Sequence, residues 1–111
     1  LSAHQISLTA MELNWTPIPY TENGGFYEVS FASTIDGPYT VAGNTTDKTV
    51  GNFEIPDMLA GTLYYFRVRT FTPAHDNQAN DLWSTYTSPT LMILSTEIPQ
   101  EVHLFLPLVV R

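Results

Sequence analysis

Apolar and polar residues alternate one for one along most of this chain, and the alternation breaks about every 8–12 residues at Gly, Pro, Asn or Asp. The clearest run is Tyr64–Phe71. Tyr64, Phe66, Val68 and Thr70 fall on one side of it, and Tyr65, Arg67, Arg69 and Phe71 on the other. A period of two predicts a strand with one buried face. Thr9–Trp15 repeats the pattern, with Met11, Leu13 and Trp15 opposite Glu12 and Asn14. In Phe26–Ser33 the residues Tyr27, Val29 and Phe31 face inward, and Glu28, Ser30 and Ala32 outward. Shorter runs follow at Leu1–Ile6, Tyr39–Val41, Thr49–Ile55 (with Phe53 and Ile55 inward) and Thr90–Leu94, the last preceded by a re-entry at Trp83–Tyr86. Asp36-Gly37 is a hairpin signal. No stretch places apolar residues at three–four spacing over three turns, so the pattern predicts no helix. Seven short strands predict an all-β sandwich.

The segment Leu59-Ala60-Gly61-Thr62-Leu63-Tyr64 refines the picture. A turn on Gly61 delivers a Tyr to the start of the longest strand, the arrangement known as a tyrosine corner. Its hydroxyl is expected to bond back to the backbone a few residues upstream and lock the crossing between two sheets.

At 111 residues the chain forms one domain with a single core. Eleven acidic residues against four basic ones give a formal charge of −7, which disfavours binding to phosphate backbones. The absence of Cys removes disulfides, thiolate catalysis and Cys-based zinc sites. The chain does not begin with Met, and it reads as a piece of a longer protein.

Together these residues resemble a fibronectin type III domain. Trp15 matches that family's core Trp on the second strand, Tyr27 its Tyr on the third, and Leu59 to Tyr64 its leucine–tyrosine corner, with Ala60 where Pro is frequent. Phe66 and Val68 match its inward alternation, and Gly37-Pro38-Tyr39 and Trp83-Ser84 recur in such domains. An immunoglobulin domain proper fits less well: Phe66 stands where it needs a Cys, and Trp15 lies on the second strand rather than the third. The resemblance covers residues 1–97 and leaves residues 98–111 as an apolar tail. It implies a seven-stranded immunoglobulin-like β-sandwich of fibronectin type III topology, with sheets of three and four strands. It also implies a spacer, adhesion or protein-binding role without a common catalytic site.

Trp83-Ser84-Thr85-Tyr86-Thr87 further resembles a degenerate Trp-Ser-x-Trp-Ser box of the cytokine-receptor members, in which an aromatic ring stacks between Arg side chains of the neighbouring strand. Arg67 and Arg69 are the matching partners here. The expectation is a ladder in which Trp83 or Tyr86 interleaves with them, each contact contributing about 0.5–1 kcal/mol, and Glu28 lies beside one of the two Arg. The ladder reads first as a brace on the sheet and second as a recognition surface.

Other chemistry is thin. His75, Asp76 and Ser84 contain the elements of a triad without its expected spacing. Asp76-Asn77 and Asn80-Asp81 offer oxygen ligands but lack a calcium-loop spacing. No catalytic, cofactor-binding or metal-binding residue is assigned. Asn14-Trp15-Thr16 and Asn44-Thr45-Thr46 match the glycosylation pattern. The loops Pro17–Gly25, Ala42–Lys48 and Thr72–Leu82 are expected to gather at one end. The tail Ile98–Arg111 is too short to span a membrane, which takes about 20 residues. It packs on its own sandwich or a sheet edge, meets a neighbouring domain or second copy, or acts as a sorting or anchoring segment; its ending resembles those of secreted proteins of some filamentous bacteria. The expected function is a non-catalytic, extracellular or cell-surface module of a bacterial multidomain protein, acting as a spacer or docking on protein or polysaccharide. The alternatives are a self-associating module that uses the tail as an intersubunit strand, and an accessory domain of a secreted hydrolase.

Overall fold

The computed structural model describes residues 1–76 and 78–94. The apolar tail and Asn77 of the polar loop lie outside the described residues. Among the described residues there are eight strands: β1 (Ser2–Ser7), β2 (Ala10–Asn14), β3 (Phe26–Ala32), β4 (Thr40–Asn44), β5 (Asn52–Ile55), β6 (Leu63–Thr72), β7 (Leu82–Trp83) and β8 (Thr90–Ile93). No helix occurs among the described residues. Every strand pair is antiparallel. One sheet runs β1-β2-β5; the other runs β4-β3-β6, with β7 and β8 both on the far side of β6.

The pattern predicts seven strands, and the structure divides the last edge into two. β7 pairs with the end of β6 (Phe71↔Trp83, Thr72↔Leu82), and β8 with its beginning (Leu63↔Ile93 to Phe66↔Thr90). Between them the chain leaves regular pairing.

The two sheets share one core. β6 alternates between buried and half-buried along its whole length, as its period-two sequence requires. Met11, Leu13, Tyr27, Val29, Phe66 and Val68 are all buried. Trp15 and Phe53 pack on the rim of this cluster rather than inside it. The Trp15 indole meets the Tyr27 ring edge-on at 5.3 Å, and the Tyr27 hydroxyl accepts from the Ile18 N–H and donates to the Lys48 carbonyl.

The corner forms with one correction. The Tyr64 hydroxyl accepts a hydrogen bond from the Leu59 N–H at 3.0 Å. Gly61 at the turn has φ +78°, in the left-handed region that glycine adopts without a Cβ penalty. The Leu59 side chain, expected to be structural, is 68% exposed. Met58 enters the core in its place, because its N–H bonds to the Thr9 carbonyl at 2.8 Å and draws it inward, leaving Leu59 pointing out.

Candidate functional site

The outer face of the larger sheet carries a column of interleaved side chains. Arg67 and Arg69 project outward from β6. The Arg67 guanidinium sits between the rings of Tyr39 and Tyr86, at 3.7 and 3.6 Å from their centroids. The Arg69 guanidinium sits between Trp83 and Tyr86, at 3.8 and 4.7 Å. Trp83 then packs on Phe71 at 4.7 Å and edge-on to Phe26 at 6.1 Å, and these two Phe stack on each other. The order along the sheet is therefore Phe26/Phe71, Trp83, Arg69, Tyr86, Arg67, Tyr39. Tyr39 was not among the residues the sequence singles out for this face; it reaches the column from the turn that leads into β4.

Glu28 lies across β3 from Arg69 in register, and its Oε1 accepts from the Arg69 Nε at 2.9 Å. The Glu28 side chain is only 11% exposed. Such a charge-assisted bond is stronger than a neutral one, and part of its strength offsets the desolvation of the carboxylate. The column also explains why β3 is buried at its outward positions. Glu28, Ser30 and Ala32 face away from the core but lie under or beside the ladder and β4, and all three are buried.

Local bonding allows Tyr86 to lie over the sheet. After β7 the chain does not continue a regular ladder, which would leave the N–H groups of Val68 and Thr70 without partners. Side-chain hydroxyls take that place. The Thr70 N–H donates to Ser84 Oγ at 2.8 Å, and the Val68 N–H donates to Thr87 Oγ1 at 3.1 Å. In return the Ser84 N–H donates to the Thr70 carbonyl and the Thr87 N–H to the Val68 carbonyl. Ser84 and Thr87 thus hold the segment to β6 at two points, and Tyr86 between them is free to enter the gap between the guanidinium groups. This is a physical account of the Trp83-Ser84-x-Tyr86-Thr87 spacing.

At the Thr72 end of β6, three loops converge on Lys48. This side chain is fully buried. Its Nζ donates to the Glu22 carbonyl at 2.7 Å and to Thr72 Oγ1 at 3.0 Å, and it lies over the Tyr20 ring at 4.2 Å. Burial pushes its pKa down, and the Glu22 charge opposes that shift. Tyr20 hydrogen-bonds in turn to His75 Nε2 and Asn23. Asp47, on the surface beside Lys48, is held below the usual carboxylate range by hydrogen bonds from the Thr49 side chain and N–H. The segments 17–25, 42–48 and 72–82 therefore meet, as expected, around an ammonium group that the sequence reading did not single out.

A cleft of about 700 Å³ opens between the sheets on the β7 side, lined by Trp15, Ile18, Tyr27, Val68 and Trp83 among others.

The imagined triad has no geometry in its favour. Ser84 Oγ accepts from Thr70 and donates to the Thr85 carbonyl, whereas His75 engages Tyr20. Among the described residues no group of three or more His, Cys, Asp or Glu is placed to hold a metal. Asp81 accepts from the Ala74 N–H and closes its own loop. Of the two glycosylation patterns, Asn44 is exposed at the end of β4, and Asn14 is half-buried within β2. No protein family, curated protein or solved structure matches this chain.

Proposed function

We propose that this chain is a non-catalytic module of fibronectin type III type, serving an extracellular multidomain protein as a rigid spacer with a docking end for protein or polysaccharide. The observation that carries this reading is how the polar groups are spent. Arg67 and Arg69 stack on aromatic rings of the outer sheet face, and Arg69, Glu28, Ser84 and Thr87 hydrogen-bond within the larger sheet. They stiffen it, and among the described residues the candidate nucleophile Ser84 has its Oγ engaged with the Thr70 N–H and the Thr85 carbonyl. The sheet order, the Tyr64 corner and the Trp15–Tyr27 pair support the family part of the reading.

The docking end is the Lys48 loop cluster. It presents the exposed Tyr20 ring beside Asn23 and His75. A planar aromatic flanked by amide and imidazole groups suits a sugar face or a polar peptide.

Two assays test the proposal. In affinity electrophoresis through gels of soluble polysaccharides or immobilised protein partners, retardation that is lost in Tyr20→Ala supports docking at this end. Turnover of an ester, peptide or glycoside substrate that disappears in Ser84→Ala would overturn the non-catalytic reading.

A further inference from the structure

The outer face of the larger sheet changes character along β6. The register sets Arg67, Ser30 and Val41 in one row across β6, β3 and β4. Leu91, Tyr65 and Ala32 form the next row, with Ile93 and Leu63 beyond them. Val41, Leu91 and Ile93 are each more than half exposed, and Tyr65 and Leu63 are half-buried. None of these eight residues is acidic, in a chain with eleven acidic residues against four basic ones. A contiguous exposed apolar patch on a folded domain marks an interaction surface more often than a bare one.

At the border of this patch stands a cation without a polar partner. Among the described Lys and Arg, Lys48 bonds to Glu22 and Thr72, and Arg69 to Glu28. Arg67 is held by the rings of Tyr39 and Tyr86 alone, at 3.7 and 3.6 Å. Its Nε is buried without an acceptor, and its Nη groups, which are not buried, have none either among the described residues. Two rings cover the faces of the guanidinium plane, so its remaining donors lie along the edge of that plane. Stacked in this way, the side chain has little freedom left to lose on binding.

We propose that this patch docks an acidic, aliphatic segment of a partner protein. A carboxylate of that segment pairs with the Arg67 Nη groups, and its apolar side chains lie over Val41, Tyr65 and Leu91. Charge complementarity selects the occupant. A planar guanidinium fork fits a carboxylate through two parallel N–H bonds, and the apolar surround strengthens such a pair by excluding water. A sugar chain fits less well, because the ring beside the cation is already spent: Tyr86 stacks on both Arg67 and Arg69. A second copy also fits less well. Two chains of formal charge −7 repel, and a two-fold contact through this patch would bring the Arg67 side chains of both copies to one interface.

The test starts from the full chain carrying Tyr20→Ala, which separates the outcome from the loop-end docking reading. Peptides selected on it from a random displayed library are expected to carry Asp or Glu flanked by Val, Leu or Ile. By fluorescence anisotropy, the most enriched peptide should lose about tenfold or more in affinity when its acidic residues become amides, and as much against Arg67→Gln or Val41→Asp. Val41 is exposed, so Val41→Asp should leave the melting midpoint within about 4 °C of the parent chain and keep the loss distinct from unfolding. Selection of no peptide, enrichment without acidic residues, or undiminished binding to Val41→Asp would each overturn the proposal. So would concentration-dependent dimerisation in light scattering that Val41→Asp removes, because that assigns the patch to a second copy.

Discussion

Tyr86 is the central rung of the ladder, and replacing it measures what the column contributes. Its ring touches both guanidinium groups, at 3.6 Å for Arg67 and 4.7 Å for Arg69. A cation–π contact contributes about 0.5–1 kcal/mol at an exposed site and about 2 kcal/mol when desolvated. Tyr86 is half-buried, so two contacts of intermediate strength amount to about 1–2.5 kcal/mol. Tyr86→Leu keeps most of the apolar bulk and removes the ring quadrupole. It is therefore expected to lower the melting midpoint by about 4–20 °C, taking about 4–8 °C per kcal/mol for a domain of this size. Denaturant titration should show a lower midpoint with an unchanged slope, because the rung lies on the surface of a sheet that remains folded.

A double-mutant cycle with Arg67→Met separates the contact from general packing. The Arg67 guanidinium is stacked on both faces, and its Nε is buried without a hydrogen-bond partner among the described residues. Its attachment to the sheet thus rests heavily on the two rings. The expected coupling energy is about 0.5–1 kcal/mol. Leu8, exposed at the far β1–β2 turn, provides a control: Leu8→Gln should add independently to Tyr86→Leu. A coupling below about 0.3 kcal/mol, within the scatter of independent sites, would show that the rings and guanidinium groups are merely adjacent and would refute the brace.

Other consequences follow from single atoms. Tyr64→Phe removes the acceptor of the Leu59 N–H and should cost about 1–2 kcal/mol, read as a shift in denaturant midpoint; a shift smaller than about 0.3 kcal/mol would mean the corner does not lock the crossing. Gly25 has φ +97°, and a Cβ there would lie 2.0 Å from the Phe71 carbonyl oxygen, so Gly25→Ala should destabilise by about 3 kcal/mol or more; near-native melting of that variant would contradict the packing of β3 against β6. Lys48 titrates below the ordinary lysine value. The unfolded chain therefore binds more protons than the folded one between that depressed value and about 10.4. In that window this group's contribution to stability rises with pH, and below it the cost of burying the charge is fully present. The difference between wild-type and Lys48→Met stability curves should rise across the window, and a flat or falling difference would refute the buried ammonium. Lys48 is also the chain's single lysine, so selective ¹³C labelling gives one resonance whose titration reads the shift directly.

Much of the layout was legible because it depends on local periodicity. Tyr64, Phe66, Val68 and Thr70 alternate with outward residues whatever lies across from them, and all four are buried. The ladder was legible for a similar reason: two outward Arg on one strand and a Trp-Ser-x-Tyr-Thr run on the next leave little choice of geometry. Leu59 was misread because a one-residue choice at a turn is set by a distant bond, Met58 N–H to Thr9, that no pattern within the turn encodes. Tyr39 and Lys48 were missed for the same reason on a larger scale. Lys48 sits among Thr and Asp and reads as solvated, and its partners Glu22 and Thr72 are separated from it by 26 and 24 residues.

The split of the last edge into β7 and β8 connects these observations. A regular strand over Ser84–Pro89 would have given Val68 and Thr70 ordinary ladder bonds and would have kept Tyr86 in the plane of the sheet edge. Hydroxyl acceptors from Ser84 and Thr87 satisfy the same two N–H groups while the backbone bows away. The bow has opposite effects on the two faces. Outward, it places Tyr86 over Arg67 and Arg69 and completes the column. Inward, Thr85, Tyr86 and Thr87 become walls of the cleft beside Trp15. Ser84→Ala should therefore act on both faces at once. It orphans the Thr70 N–H, at about 1–3 kcal/mol, and loosens the stacking of Tyr86 on Arg69. If Ser84→Ala and Tyr86→Leu combined additively within about 0.3 kcal/mol, the hydroxyl pairing and the ladder would be separate devices, and the split edge would need another explanation.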